Sequence, residues 1–416
     1  MRFSCFVILQ LFLVIFLSCD NRKKEYKKIG KIHFPKTIQL DLSNAEIDSM
    51  NLSDIAEKVE YIPMQTTESS LLDYFYDFKI TSKYFFIKDG LKIVKYDNNG
   101  RFVKDLLNPG RGPEEALPVC FTLNDSLKLV YLYDQNKSVK IFDYDGNFKT
   151  RILFPINPIE SLPPWRIEFF NNCLFVCVPQ KPKVRFLYSF YDLENDSIRI
   201  VLRNYRNYAK LAEEKRLPII LQDFSYQITD STVLFKERFS DTIFAVNRYF
   251  ESAPRYIIDL GKEKLEWENW RDHGMFNIAG GPPNGYWVQS FIESRSFLII
   301  VLRSFTEPKI LAIYDKYSDS IKMSTIPFFD KEINQVFLRN DLDKIIAFPA
   351  MSKSDGNLFY YNECLYSVVE ASEFADAYHK ASEKSKRSTK YLRDLSPVLS
   401  QVNEFSNPVI MKIYLK

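Results

Sequence analysis

An all-β fold built from a repeated unit of about four strands is what this sequence predicts, on three observations. Phe and Tyr are abundant, at 35 and 25, against only 12 Gly, and aromatic and β-branched residues suit a pleated, half-buried surface. Between Ile38 and Val369 the chain shows almost no long helical periodicity. Short apolar or alternating runs such as "YFFIKDG", "LKLVYLYD" and "SFLIIVLRS" are each closed by Asn, Asp, Ser or Gly. The third observation is a repeat. "LKIVKYDNNGRFVKDLL" at 91–107 aligns with "KSVKIFDYDGNFKTRIL" at 137–153, which places Gly100 and Gly146 46 residues apart. A period in the forties with four strands per unit predicts a six-bladed β-propeller with four-stranded blades and short helical insertions.

The elements follow in chain order. Residues 1–18 predict a signal peptide: Arg2 precedes an apolar run from Phe6 to Leu17, broken only by Gln10 and too short to span a bilayer. The run ends in "FLSC", which resembles the bacterial lipobox and marks Cys19 as the lipidated residue. The charged stretch after it makes 19–37 a lipidated tether and 38–416 the propeller domain. The predicted address is the cell envelope, with an outer-membrane anchor whose face the sequence leaves open.

In both repeat copies an apolar strand ends in an aromatic-Asp step, at Asp97 and Asp143. Asn99-Gly100 and Asp145-Gly146 are pairs that accept positive φ at both turn positions of a two-residue hairpin. Weaker copies at 186–202 and 310–326 keep the aromatic-Asp step and lose the glycine. Between the two good copies lies "NPGRGPEE". It has neither the Gly-Lys-Ser/Thr ending of a phosphate loop nor a helix after it, so Gly110, Arg111, Gly112, Glu114 and Glu115 are expected to form an interblade connection. A salt bridge from Arg111 to Glu114 or Glu115 is the default there. Residues 207–217 and 370–395 are expected to be helical, the second either capping one end of the disc or lying solvated on its surface.

Cys120, Cys173, Cys177 and Cys364 stay behind once the leader is discounted. In an extended strand Cys173 and Cys177 lie about 13 Å apart, beyond the roughly 7 Å that a disulfide tolerates, so buried free thiols are expected. His33, His273 and His379 are scattered, and no zinc or redox-metal spacing exists. No cofactor is expected. Calcium stays compatible, because the turns are rich in Asp and Asn oxygens. A formal net charge of +3 gives no basic stripe and excludes nucleic acid as the expected partner.

"LSDIAEKVEYIPMQTTESSLL", the hairpin ending in "YDNNGRFVKDLL", "GRGPEE", "FKERFSDTIFAVN", "PRYIIDLGK" and "NPVIMKIYLK" together resemble the six-bladed β-propeller lipoproteins of Bacteroides-type bacteria, which are similar to NHL-type propellers. The resemblance covers about residues 38–416. Glu114 and Ala116 depart from the family's loop pattern. The resemblance implies fold and address, and it adds O-glycosylation at Asp-Ser/Thr-apolar sites, which Ser126, Ser197, Thr242 and Ser320 fit.

For function, a binding or scaffolding domain is expected, its ligand a glycan, a peptide or an envelope protein partner. Trp267, Trp270, Tyr286 and Trp287, around a Gly-Pro loop, are the candidate ligand-binding residues, since aromatic faces in loops suit stacking. The alternative is a propeller hydrolase or lyase with an acid-base or divalent-metal site in the central channel. No carboxylate pair stands out at blade starts to support it, so no catalytic residue is named.

Overall fold

Six four-stranded sheets arranged in a ring make this protein a six-bladed β-propeller. The structure is a computed structural model, and it describes residues 34–47, 50–73, 75, 77–153, 164–178, 186–203, 225–229, 231–237, 240–266, 284–326, 336–346, 348–349, 358–384 and 390–416. These all fall within one compact unit, His33–Lys416. Cys19, His33, Trp267, Trp270, His273 and the expected helix at 207–217 lie outside the described residues.

Three short strands come first: β1 (Lys36–Gln39), β2 (Glu46–Ile47) and β3 (Ala56–Pro63). Blade 1 is β4 (Asp77–Ile80), β5 (Tyr84–Asp89), β6 (Lys92–Asp97) and β7 (Phe102–Asp105). Blade 2 is β8 (Pro118–Asn124), β9 (Leu129–Asp134), β10 (Ser138–Asp143) and β11 (Phe148–Leu153). Blade 3 is β12 (Arg166–Phe170), β13 (Cys173–Cys177), β14 (Phe186–Asp192) and β15 (Ser197–Arg203). Blade 4 is β16 (Ser225–Ile228), β17 (Thr232–Lys236), β18 (Thr242–Asn247) and β19 (Ser252–Asp259). Blade 5 is β20 (Trp287–Glu293), β21 (Phe297–Arg303), β22 (Lys309–Asp315) and β23 (Ser320–Ile326). A two-stranded ribbon, β24 (Val336–Leu338) and β25 (Phe348–Pro349), precedes blade 6. Blade 6 takes β26 (Leu358–Tyr361), β27 (Cys364–Val369) and β28 (Val409–Leu415) from the C-terminal end of the chain, and β3 as its outermost strand.

The N-terminal segment is therefore a belt over three consecutive blades. β1 pairs parallel with β19, the outer strand of blade 4, and β2 pairs parallel with β23 of blade 5. β3 then pairs antiparallel with β28 and closes the ring. The first described strand begins at Lys36, and Phe34 just before it packs edge-on against Tyr256 at 5.5 Å.

Both faces of every blade are covered, which explains why the middle strands read as continuous apolar runs rather than alternations. In β5, Phe85 and Ile87 pack toward blade 6, while Phe86 packs toward blade 2. The buried apolar residues form six clusters, one at each interface between successive blades. The core is thus a ring of interblade layers.

Gly100 and Gly146 occupy equivalent turns between the third and fourth strands of blades 1 and 2, both at φ +81°. The Asp97 carboxylate accepts from Asn99 N and Arg101 N, and Asp143 accepts from Asp145 N and Asn147 N, each at 2.9 Å. One detail differs from the sequence expectation: only the glycine has positive φ, not the residue before it. The turn is a three-residue loop ending in a left-handed glycine with a bulge behind it, as the register shifts in both hairpins record. Blade 4 makes the same turn from Asn247 to Glu251, with Phe250 at φ +63° in the glycine's place and packed 5.0 Å from Phe190. A side chain is tolerated there because it finds an aromatic cluster. At Gly100 an added Cβ would lie 2.2 Å from Pro63 O, and at Gly146 2.3 Å from Leu106 O, in both cases backbone of the preceding blade. Gly→Val at either position is expected to cost about 2–4 kcal/mol, the left-handed penalty plus the clash, measured by urea unfolding. A midpoint unchanged in both variants would contradict the turn assignment.

The four described cysteines are buried, Cys173 and Cys177 at opposite ends of β13 and not bonded to each other. The predicted C-terminal helix is two helices inserted between β27 and β28: α1 (Ala371–Lys384) and α2 (Lys390–Leu399). Phe374 of α1 is fully buried against Tyr61 of β3, while much of α1's other side stays exposed, so α1 braces the closing blade.

Candidate functional site

The first strand of each blade lines a central cavity of about 840 Å³. On one side of it, four charged residues meet from two inner strands. Asp77 and Lys79 stand two apart on β4, and Arg166 and Glu168 stand two apart on β12, so each pair shares one face of its strand. The charge order is reversed between the blades, so acid meets base at both levels. Lys79 Nζ donates to Glu168 Oε1 at 2.5 Å, and Arg166 Nη1 lies 3.6 Å from Asp77 Oδ2. Lys79 also lies 3.5 Å from Asp77 Oδ1. Neighbouring blades supply the remaining partners of Glu168: Tyr226 Oη donates to Oε1 at 2.8 Å and Thr122 Oγ1 to Oε2 at 3.1 Å.

Electrostatics hold Asp77, Lys79 and Arg166 in their charged forms. Burial pushes the Asp77 carboxyl up, but the Lys79 ammonium and the Arg166 guanidinium outweigh it and hold it below the ordinary carboxylate range. Burial pushes Lys79 down, and Asp77 and Glu168 more than reverse this. Asp77 raises Arg166 further. Burial, with Glu168 adding to it, lifts the Tyr226 phenol well above its usual value, and burial pushes the Cys120 thiol up to about 12.

The quartet is not fully satisfied, and here it differs from a second buried network nearby. Glu293, at the end of β20, accepts from Arg255 at 2.8 and 2.9 Å, Tyr256 at 2.7 Å and Lys316 at 2.6 Å. Gln227 ties blade 4 to blade 5, donating to Glu293 O and accepting from Glu293 N, each at 2.7 Å. That carboxylate and that amide have their partners and serve the interface. In contrast, Asp77 Oδ2 and Gln289 Oε1, on cavity-lining residues only 3% and 5% exposed, have no hydrogen-bond partner. Buried polar atoms without a hydrogen-bond partner are uncommon in native folds, and a bridging water or ion is one way in which such an atom is satisfied. The Arg166 side chain keeps about a third of its surface exposed, at 34%.

The sequence-predicted residues fall elsewhere. Tyr286 and Trp287 are buried: Tyr286 Oη donates to Pro308 O at 3.1 Å, and the Trp287 ring packs 4.8 Å from Phe305. Neither presents a ring to solvent, and their partners Trp267 and Trp270 lie outside the described residues. The Asn108–Glu115 loop connects β7 to β8. Its amide cradle is filled from within, since Gly112 N donates to the Glu115 carboxylate at 2.8 Å. Buried Lys140 donates to the carbonyls of Gly112 and Glu115. An added Cβ at Gly110 would collide with that same carboxylate. Arg111 is exposed, as is Glu114, and Arg111 makes no ion pair with Glu114 or Glu115, contrary to the default. Ser126 is exposed in a turn that lines the cavity, Ser197 and Ser320 are exposed at the starts of β15 and β23, and Thr242 is half-buried with its hydroxyl on Asp241. His379 lies on α1 beside Tyr378, and among the described residues no group of three metal-ligating side chains occurs.

Sequence reasoning missed the quartet. A signal existed in "DFKI" and "RIEF", where charges of opposite sign alternate within otherwise apolar blade-opening strands. Only the ring brings the side chains of those two strands together, across β8 of the blade between them.

A family model described as a domain of unknown function, DUF4934, matches residues 35–414. No curated protein matches the chain. Among solved structures it is similar to a Bacteroides fragilis protein assigned as exported, at 13% identity and a TM-score of 0.62, covering 92% of this chain and 100% of that one. It is also similar to a member of the DUF4221 family from Bacteroides vulgatus, at 12% identity and a TM-score of 0.46, covering 87% of this chain and 97% of that one. At such identities the likeness is one of fold.

Proposed function

We propose, for a chain that belongs to the DUF4934 family, an exported, lipid-anchored envelope protein whose propeller binds a small polar ligand in its central channel. The observation that carries the binding reading is the cavity of about 840 Å³ itself, walled by the inner strand of every blade and by the quartet of Asp77, Lys79, Arg166 and Glu168, with the Arg166 side chain about a third exposed. Ligand pockets commonly measure about 300–1,000 Å³ and orient their ligand with a few convergent polar groups. A general acid or base works best with a pKa near the working pH. Asp77, Lys79 and Arg166 are all moved away from neutrality, which supports holding a ligand over exchanging protons with it. A thermal-shift screen of the purified domain against amino acids, dipeptides, nucleosides, organic acids and sugars tests this. A ligand at 100 times its Kd should stabilise by about 2.7 kcal/mol. A screen in which no class of compound shifts the transition would remove the channel-binding reading and leave a scaffolding role.

The address rests on the leader. The run from Phe6 to Leu17 ending in "FLSC" supports lipidation at Cys19 and an outer-membrane anchor. Cys19→Ala is expected to abolish labelling by a fatty-acid probe and to shift the protein out of the membrane fraction. Labelling that persists in that variant would refute the anchor.

A further inference from the structure

Resting on the reading of the channel as a binding site, we propose that its ligand is an organic monocarboxylic acid, with its carboxylate on Arg166 and an apolar body in a collar further along. Among the described residues the Arg166 guanidinium donates no hydrogen bond, and its one ion pair, to Asp77, is at 3.6 Å. The side chain lines the cavity, keeps 34% of its surface exposed and has no nitrogen sealed from solvent. Its N–H donors, held in a planar fork, are thus left for whatever fills the channel. A carboxylate matches that fork with two parallel bonds, each stronger than a bond to a neutral acceptor. Water can meet the same donors, but it does not suit the second feature of the cavity.

That feature is the collar. The inner strand of every blade places one half-buried aliphatic or aromatic side chain in the lining: Ile80, Leu123, Phe169, Ile228, Ile292 and Tyr360. A hydrocarbon body covering this surface is favoured by the apolar area it removes from water. Phe169 follows Arg166 by three residues on β12, so the collar lies about 10 Å further along the strand. That spacing fits a medium-length alkyl chain, or one aromatic ring on a short arm. The lining also carries acids. Asp77 and Glu168 are offset by Lys79 and Arg166, while Asp125, past the far end of β8, pairs with Lys128 at 2.7 Å. Thr122 is level with Glu168; Asp125 comes three residues after the one and Arg166 two before the other, so about 16 Å separates them. That exceeds the screening length of about 8–10 Å at ordinary salt, which leaves Asp77 as the near acid. A phosphate would bring a second negative charge against it.

The test is isothermal titration of the purified full chain with hexanoate, octanoate, benzoate and phenylacetate. Octanamide, phenylacetamide and octyl phosphate are the counterparts. At least one of these acids is expected to bind saturably, its amide about tenfold more weakly, which is roughly 1.4 kcal/mol. Arg166→Lys keeps a charge beside Asp77 and removes the fork, so acid affinity should fall about tenfold while the unfolding midpoint holds. Ile228→Thr, in the collar, should weaken octanoate more than hexanoate. No heat from any of the acids, an amide bound as tightly as its acid, or acid binding unchanged in Arg166→Lys would overturn the proposal. Octyl phosphate bound more tightly than octanoate would overturn the carboxylate. If the acids fail but a nucleoside, sugar or dipeptide shifts the thermal transition and Arg166→Lys removes that shift, the acid falls and the channel stands as a binding site. If no class of compound shifts it, the channel reading falls as well.

Discussion

Deleting residues 1–63 is expected to abolish the cooperative native fold. The deletion removes all three belt strands, and with β3 the outer edge of blade 6. Tyr61 and Ile62 are buried there, Val59 is half-buried, and β3 pairs with β28 along seven positions from Val409–Pro63 to Leu415–Ala56. At about 1.5–3 kcal/mol per buried large side chain and about 1 kcal/mol per ladder hydrogen bond, the loss is of the order of 10 kcal/mol. Whole domains are stable by only about 5–15 kcal/mol. The geometry also supplies a rescue. Lys416 N donates to Ile55 O at 2.9 Å, so the end of β28 lies beside the start of β3. A variant starting at residue 64, with 55–63 joined behind Lys416 through a short hairpin loop, should recover a sharp unfolding transition. Deletion without loss of that transition, followed by near-UV circular dichroism in urea, would show that β3 does not close the ring.

Glu168→Ala is the point substitution with the largest expected effect, a loss of about 3–5 kcal/mol. It removes the closer acid of a Lys79 ammonium that is only 15% exposed, leaving Asp77 at 3.5 Å, and leaves Tyr226 and Thr122 without the acceptor they share. Glu168→Gln keeps an oxygen for those hydroxyls and should cost less. The charge-swapped double variant, Lys79→Glu with Glu168→Lys, restores attraction and should recover part of the loss. The pH dependence follows from the directions of the shifts. Asp77 is held low, so its contribution is complete above the ordinary carboxylate value near ~3.9 and is lost as pH falls through the lower folded value. Lys79 is held high, so its contribution is complete below the ordinary value near ~10.4 and is lost as pH rises through the higher folded value. Between those limits both groups keep their charge in the unmutated protein, so neither should make its stability vary between pH 6 and pH 8. A cost of Glu168→Ala below about 1 kcal/mol would mean the pair is solvated like an ordinary surface pair.

What could be read from the sequence is what depends on neighbours a few residues away. The turn at Asp97–Arg101 is made by one carboxylate bonding amides two and four residues on, so it shows as an aromatic-Asp step followed by Gly. Its copy at Asn247–Glu251 escaped notice because Asn and Phe stand where Asp and Gly stood, although the backbone path is the same. The apolar runs of β5, β9 and β21 announced strands, and the repeat announced blades. The spacing of Cys173 and Cys177 alone ruled out their pairing.

Tertiary structure decided everything that depends on which inner strands face each other. Lys79 and Glu168 are 89 residues apart, and an ordinary alternation of charged and apolar residues in each strand becomes an ion pair only when the ring closes. Tertiary packing also buried Tyr286 and Trp287, two of the residues offered for ligand stacking. It also filled the glycine loop with its own glutamate. Local chemistry sets strands and turns because its partners are carried on the same few residues. A site in the channel draws its partners from separate blades, and the free energy of desolvating and pairing them exists only in the folded ring.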